Sequence, residues 1–151
     1  MGTAASRPET FEVDEWPGED QIAFAVGLAA EQIEPLDGVP ELLKALGCCL
    51  GQPQLGSTRA CFTVGEKWVL KVPLTWQGES ANFLEADHVN PDIPLAQCRL
   101  HESSHGPVLL WMRRVKPVTY SPQRRLPAWT NFVDCAQVGY MPDGRLVAYD
   151  L

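Results

Sequence analysis

The sequence predicts an α+β domain: an antiparallel sheet of roughly five strands with a helix packed on it, and further helices at the N-terminal end. Three observations lead there. Residues 61–74, CFTVGEKWVLKVPL, hold two apolar runs rich in β-branched and aromatic residues, joined by Gly65-Glu66-Lys67. Gly65 can take the positive φ of a tight turn, so this reads as a hairpin. A second hairpin pattern, VGYMPDGRLVAYDL, turns at Pro142-Asp143-Gly144. Apolar residues at helical spacing occur in 18–33, 40–47 and 79–89.

In chain order, residues 1–17 show no periodicity and carry Pro8 and Pro17. They read as a partly mobile arm, although Phe11, Val13 and Trp16 are apolar enough to dock. Residues 18–151 read as one domain. Ile22, Val26, Ala29 and Ile33 recur at intervals of four, three and four, with Glu19 and Asp20 where a helix dipole favours acids. Pro35 ends this helix. Pro40 suits the first position of a second one, PELLKALG, with a Leu42, Leu43, Leu46 stripe and Gly47 as its expected stop.

Residues 48–60, CCLGQPQLGSTRA, form a candidate phosphate loop, because Gly51 and Gly56 would let backbone amides approach an anion beside Ser57. They do not spell G-x-G-x-x-G, and Pro53 removes one donor. A plain turn between two strands explains the same residues. Lys71, inside the second run of the first hairpin, points opposite to Leu70 and Val72. It is either a solvated edge residue or a cation aimed at an anion.

After a loop, Thr75–Gly78, the segment ESANFLEADHV reads as a short helix with Phe83, Leu84 and Val89 apolar and Glu85 as its internal acid. Leu95–Leu100 and Val108–Val115 then form a second antiparallel pair. Lys116–Pro127 is a proline-rich connector. Arg113, Arg114, Lys116, Arg124 and Arg125 place five bases within thirteen residues. Residues 126–137 read as a short helix or loop anchored by Trp129, Phe132 and Val133, and the last hairpin delivers Asp150.

A glycine-containing turn, a strand lysine, a helix glutamate and a strand-terminal aspartate follow one another in this order. The order resembles the small lobe and cleft of the protein-kinase-like fold. From about Leu50 to Leu151 the chain also looks like small kinase-like proteins encoded by bacteriophages. The resemblance implies that Lys71 and Glu85 pair and that Asp150 takes the metal position. It also implies a nucleotide site of Gly51, Gly56, Ser57, Lys71, Gln137 and Asp150. The same comparison exposes gaps: the family's metal-holding asparagine falls on Gln137 and its catalytic aspartate on Phe132. Asp134 is out of register, and only 35 residues separate Val115 from Asp150. No cofactor is therefore expected; ATP and magnesium are what a working site would take.

Composition bounds the rest. Hydrophobic content of 45% with 21% charged residues is ordinary for a globular domain, and no apolar run approaches the ~20 residues of a membrane span. Five cysteines without a C-x-x-C pair, and three histidines not spaced with them, read as reduced structural thiols in a cytoplasmic protein. Of the net charge of −7, residues 1–45 carry −8 and the remainder +1. An acidic arm argues against general nucleic-acid binding and permits a protein partner. Trp76, in the loop after the lysine strand, is the preferred contact residue, with Arg113, Arg114, Arg124 and Arg125. The expectation is a non-catalytic kinase-like interaction protein, phage-encoded, that modulates a host protein in the host cytoplasm. The alternatives are a minimal ATP-dependent phosphotransferase using Asp134 as an irregular base, and a structural component of a larger assembly.

Overall fold

The computed structural model describes residues 39–102, 107–118, 126–133 and 137–151. Within them run α1 (Val39–Leu50), β1 (Gln54–Leu55), β2 (Arg59–Val64), β3 (Trp68–Pro73), α2 (Trp76–Ala86), β4 (Cys98–His101) and β5 (Leu109–Arg113). There follow β6 (Lys116–Pro117), a 3-10 turn (Ala128–Phe132), β7 (Val138–Tyr140) and β8 (Leu146–Ala148). The expected helix over 18–33 and the arm over 1–17 lie outside the described residues.

The first five strands form an antiparallel sheet in the order β1-β2-β3-β5-β4, so the five-stranded expectation holds. The β2–β3 hairpin turns where the sequence placed it, with Val64 opposite Trp68 and Gly65 at φ 64°. Strand alternation sorts its residues into two faces. Ala60, Phe62, Val64, Trp68, Leu70 and Val72 join Leu109 and Trp111 beneath Leu42 and Leu46 of α1. Arg59, Cys61 and Lys71 point to the other face, which α2 covers. β3 lies in the middle of the sheet and is buried on both sides, so the solvated-edge reading of Lys71 gives way to the other: its relative exposure is 3%.

Two helix boundaries differ from expectation. α1 does not stop at Gly47 but runs to Leu50, where Gly51 takes φ 86° and donates its amide to Gly47 O at 3.0 Å. That is a left-handed glycine stop, and only the second of the two glycines adopts it. α2 starts three residues before Glu79, because the Thr75 hydroxyl accepts from the Gly78 amide and caps the end. It ends at Ala86, short of Val89.

A second, three-stranded sheet, β6-β7-β8, was not anticipated. The start of the basic connector pairs with β7, Lys116 opposite Tyr140. The β7–β8 turn uses Gly144 at φ 92°, with the Arg145 amide on the Asp143 carboxylate at 3.0 Å. Met141 of the β7–β8 turn and Val147 of β8 share an apolar cluster with Leu110 and Met112 of β5. Backbone bonds from Ala96 N to Ala148 O (2.8 Å) and from Ala148 N to Pro94 O (2.7 Å) tie β8 to the segment before β4. No described helix is long and apolar enough to cross a membrane.

Candidate functional site

The face of the sheet under α2 carries a buried ion cluster built from four separate elements. α2 turns Gly78, Asn82 and Glu85 inward, a spacing of four and three that puts them on one side. Gly78 is what lets the helix sit this low: a Cβ there would stand 2.1 Å from Thr58 O. The residue after Thr58 is Arg59, whose guanidinium therefore runs directly beneath the helix.

Arg59 grips Glu85 through both nitrogens, Nη1 to Oε1 and Nη2 to Oε2, each at 2.8 Å. This two-pronged fit matches guanidinium to carboxylate geometry. Nη1 also donates to Asn82 Oδ1 at 3.0 Å, and Nη2 to Asp150 Oδ1 at 2.7 Å. Lys71 Nζ donates to Glu85 Oε1 at 2.9 Å and to the Tyr149 carbonyl at 2.6 Å. Asn82, fully buried, spans to the backbone by donating to Lys71 O and Val108 O. Two cations and two carboxylates thus meet, and their formal charges cancel.

The two carboxyls are held differently. Burial alone would raise Glu85, but the Arg59 and Lys71 cations outweigh it and hold the group below the usual carboxylate range. For Asp150, burial wins, aided by the neighbouring Glu85 charge, and the group sits above its ordinary value despite Lys71 and Arg59. Burial works against the Arg59 cation too, yet its two carboxylate partners hold it more firmly protonated than usual. Burial pushes the Cys61 thiol up and the Cys98 thiol up to about 12, so neither is a ready thiolate at neutral pH.

Of the residues the sequence singled out, Lys71, Glu85 and Asp150 converge here. The glycine-loop residues do not. Gly51 is the helix stop, and Gly56 and Ser57 are exposed in the β1–β2 turn, closed by Gly56 N on Arg59 O at 2.8 Å. Gln137 is half-buried and accepts from the Tyr149 amide through its carbonyl at 3.0 Å. Asp134, Arg124 and Arg125 lie outside the described residues. Phe132, at the catalytic-aspartate position of the resemblance, is 78% exposed at the end of the 3-10 turn.

Among the candidate partner contacts, Trp76 is not in a loop but opens α2, and it is 65% exposed. Arg113 is buried, its guanidinium 5.3 Å from the Trp68 ring centroid, so it belongs to the sheet. Arg114 is exposed and donates to Gly65 O at 3.1 Å.

The sequence reading missed Arg59 and Asn82. Asn82 stands three residues before Glu85, which places it on the same helix face. Arg59 stands two residues before Cys61, which pairs with Lys71, so the hairpin register puts it on the lysine's face.

In this arrangement the Lys71, Glu85 and Asp150 side chains that the resemblance assigns to nucleotide and magnesium already make contacts within the protein. Lys71 is engaged by Glu85 and the backbone, and Asp150 is engaged by Arg59. No cluster of three or more His, Cys, Asp or Glu side chains suited to a metal occurs among the described residues. No protein-family model, curated protein or solved structure matches this chain.

Proposed function

We propose that the chain is a non-catalytic protein of the kinase-like, small-lobe type, of the kind bacteriophages encode, and that it acts by binding and modulating a host protein. The carrying observation is the neutral Arg59–Lys71–Glu85–Asp150 cluster. A lysine on the third strand paired with a helix glutamate, and an aspartate reaching the same point, is the arrangement a kinase uses. Arg59 is the departure from it. With two cations matched to two anions, a phosphate or a magnesium ion has to break an existing pair to enter.

The surface favours a protein partner. Trp76, Phe83 and Leu84 are 65%, 38% and 70% exposed and stand at i, i+7 and i+8 of α2, one outward face. Tryptophan is among the commonest anchors of protein interfaces. The test is capture from a host lysate with wild type, Trp76→Ala and a charge-reversed Arg114/Arg124/Arg125 variant. A protein retained by wild type and lost with Trp76→Ala is the expected result. Identical captures by all three, or none by any, would defeat the reading.

The formed Lys71–Glu85 pair also favours the second reading, a minimal ATP-dependent phosphotransferase. Titration calorimetry with ATP and magnesium decides between them: micromolar binding abolished by Asp150→Ala would promote the enzyme. A large assembly on a sizing column would instead promote the structural role.

A further inference from the structure

We propose that Arg59 and Lys71 form an oxyanion-binding site whose resident ligand is the chain's own Asp150, and that a phosphate- or carboxylate-type anion enters by displacing Tyr149–Leu151. The inference rests on the cluster geometry alone, so a negative capture experiment leaves it standing.

Three successive residues of that segment each make one contact with the cluster. Lys71 Nζ donates to Tyr149 O (2.6 Å), Arg59 Nη2 to Asp150 Oδ1 (2.7 Å), and Leu151 N to Glu85 Oε2 (3.2 Å). β8 ends at Ala148, so the segment lies beyond the strand ladder, with the Tyr149 amide on Gln137 O at its root. Moving Asp150 and Leu151 aside breaks no pairing between strands, while the Tyr149 side chain, packed against the cluster of Leu110, Met112, Met141 and Val147, keeps the root of the segment in place.

Its departure has a defined consequence. Arg59 Nη1 is occupied by Asn82 and Glu85, and Nη2 by Glu85 and Asp150. Losing Asp150 frees one hydrogen on Nη2, and losing the Tyr149 carbonyl frees one on Lys71 Nζ. Arg59, Lys71 and Glu85 then sum to one positive charge. Two charge-assisted donors on two different cations suit an anion that presents two oxygens.

The cations do not depend on the segment for their position. Glu85 holds both, Asn82 holds Arg59, and α2 is set against Thr58 at Gly78. Such a frame is preorganised for the anion that replaces the segment. The two carboxylates divide the roles. The Glu85 side chain is 1% exposed and is a fixed counter-ion. The Asp150 side chain is 39% exposed, with its carboxyl held above the ordinary value, which marks a replaceable occupant.

The test is titration calorimetry of inorganic phosphate and of acetate into wild type and Asp150→Asn, which keeps the shape and removes the charge. A tethered competitor lowers apparent affinity by the fraction of time the site is open, so the variant should bind at least about tenfold more tightly. Adding Arg59→Lys should abolish that gain. Preference for phosphate identifies a phosphoryl-type ligand and preference for acetate a carboxyl-type one; either supports the site. A wild-type measurement covers the case of a poorly folding variant. The carboxyl carbon resonance of Asp150, followed through a pH titration, should shift its midpoint down towards ordinary carboxylate values when phosphate is saturating. Equal affinity of wild type and Asp150→Asn for both anions, or an Asp150 resonance indifferent to bound phosphate, would overturn the proposal. So would magnesium binding to wild type that Asp150→Asn removes, which would make the carboxylate a metal ligand.

Discussion

Glu85 holds two buried cations at once, and the loss of a single carboxylate would leave both without their common partner. Breaking a buried pair from one side costs far more than the pair itself is worth, because a charge is left uncompensated. Glu85→Ala is therefore expected to lower stability by about 3–5 kcal/mol, read by urea denaturation. Asp150→Asn, in a pair open to solvent, should cost less than about 1 kcal/mol. Equal losses from the two would contradict the division of roles between them. The pH dependence has opposite signs for the two groups. Glu85 is lowered in the fold, so its contribution is present above its ordinary ~4.3 and lost as pH falls through the lower folded value. Asp150 is raised, so its contribution is present below its ordinary ~3.9 and lost as pH rises through the higher folded value. Asp150→Asn should accordingly remove a component that favours the fold at low pH, while leaving the acid loss governed by Glu85. Lys71, Glu85 and Asp150 were legible from their order in the chain. Arg59 was not, since its place beside Lys71 exists only once the Cys61–Lys71 register is known.

At the scale of elements, turn chemistry was the most legible signal. Gly65 and Gly144 sit at positive φ where the two hairpin patterns placed their turns. Helix ends were less so, because two glycines, Gly47 and Gly51, competed for the same role and only the backbone decides between them. The start of α2 depended on the Thr75 hydroxyl, which looks from the sequence like any loop residue. The same helix carries a sharp test. Alanine is about 1 kcal/mol better than glycine inside a helix, so Gly78→Ala would stabilise an isolated α2. In the protein its Cβ meets the Thr58 carbonyl, a backbone atom that cannot turn aside. Overpacking of this kind costs about 1–3 kcal/mol, and the displaced helix would carry Glu85 away from Arg59. A net loss in thermal unfolding, together with weakened Asp150–Arg59 pairing by carboxyl resonance, is expected. A variant as stable as wild type would show that α2 can rise from the sheet without penalty.

The second sheet was the least legible feature of the whole molecule, for a physical reason. β6 is two exposed residues, Lys116 and Pro117, that join by backbone pairing and show no apolar alternation. Its partners β7 and β8 read as a free-standing hairpin until Met141 and Val147 are seen against Leu110 and Met112. That shared cluster, and the backbone bonds from Pro94 and Ala96 to Ala148, join the sheets into one packed body. Small domains joined through a common core unfold in one cooperative step. Hydrogen exchange should then show amides of β2–β3 and of β7–β8 opening with the same limiting free energy. Met112, 2% exposed between the sheets, is the residue that tests the link. Met112→Ala should cost about 2–5 kcal/mol and lower protection in both sheets by equal amounts. If β7–β8 lost protection while β2–β3 kept it, the small sheet would be a separately melting unit. The Tyr149–Leu151 segment would then be released by melting of the hairpin that bears it, without any anion competing for Arg59.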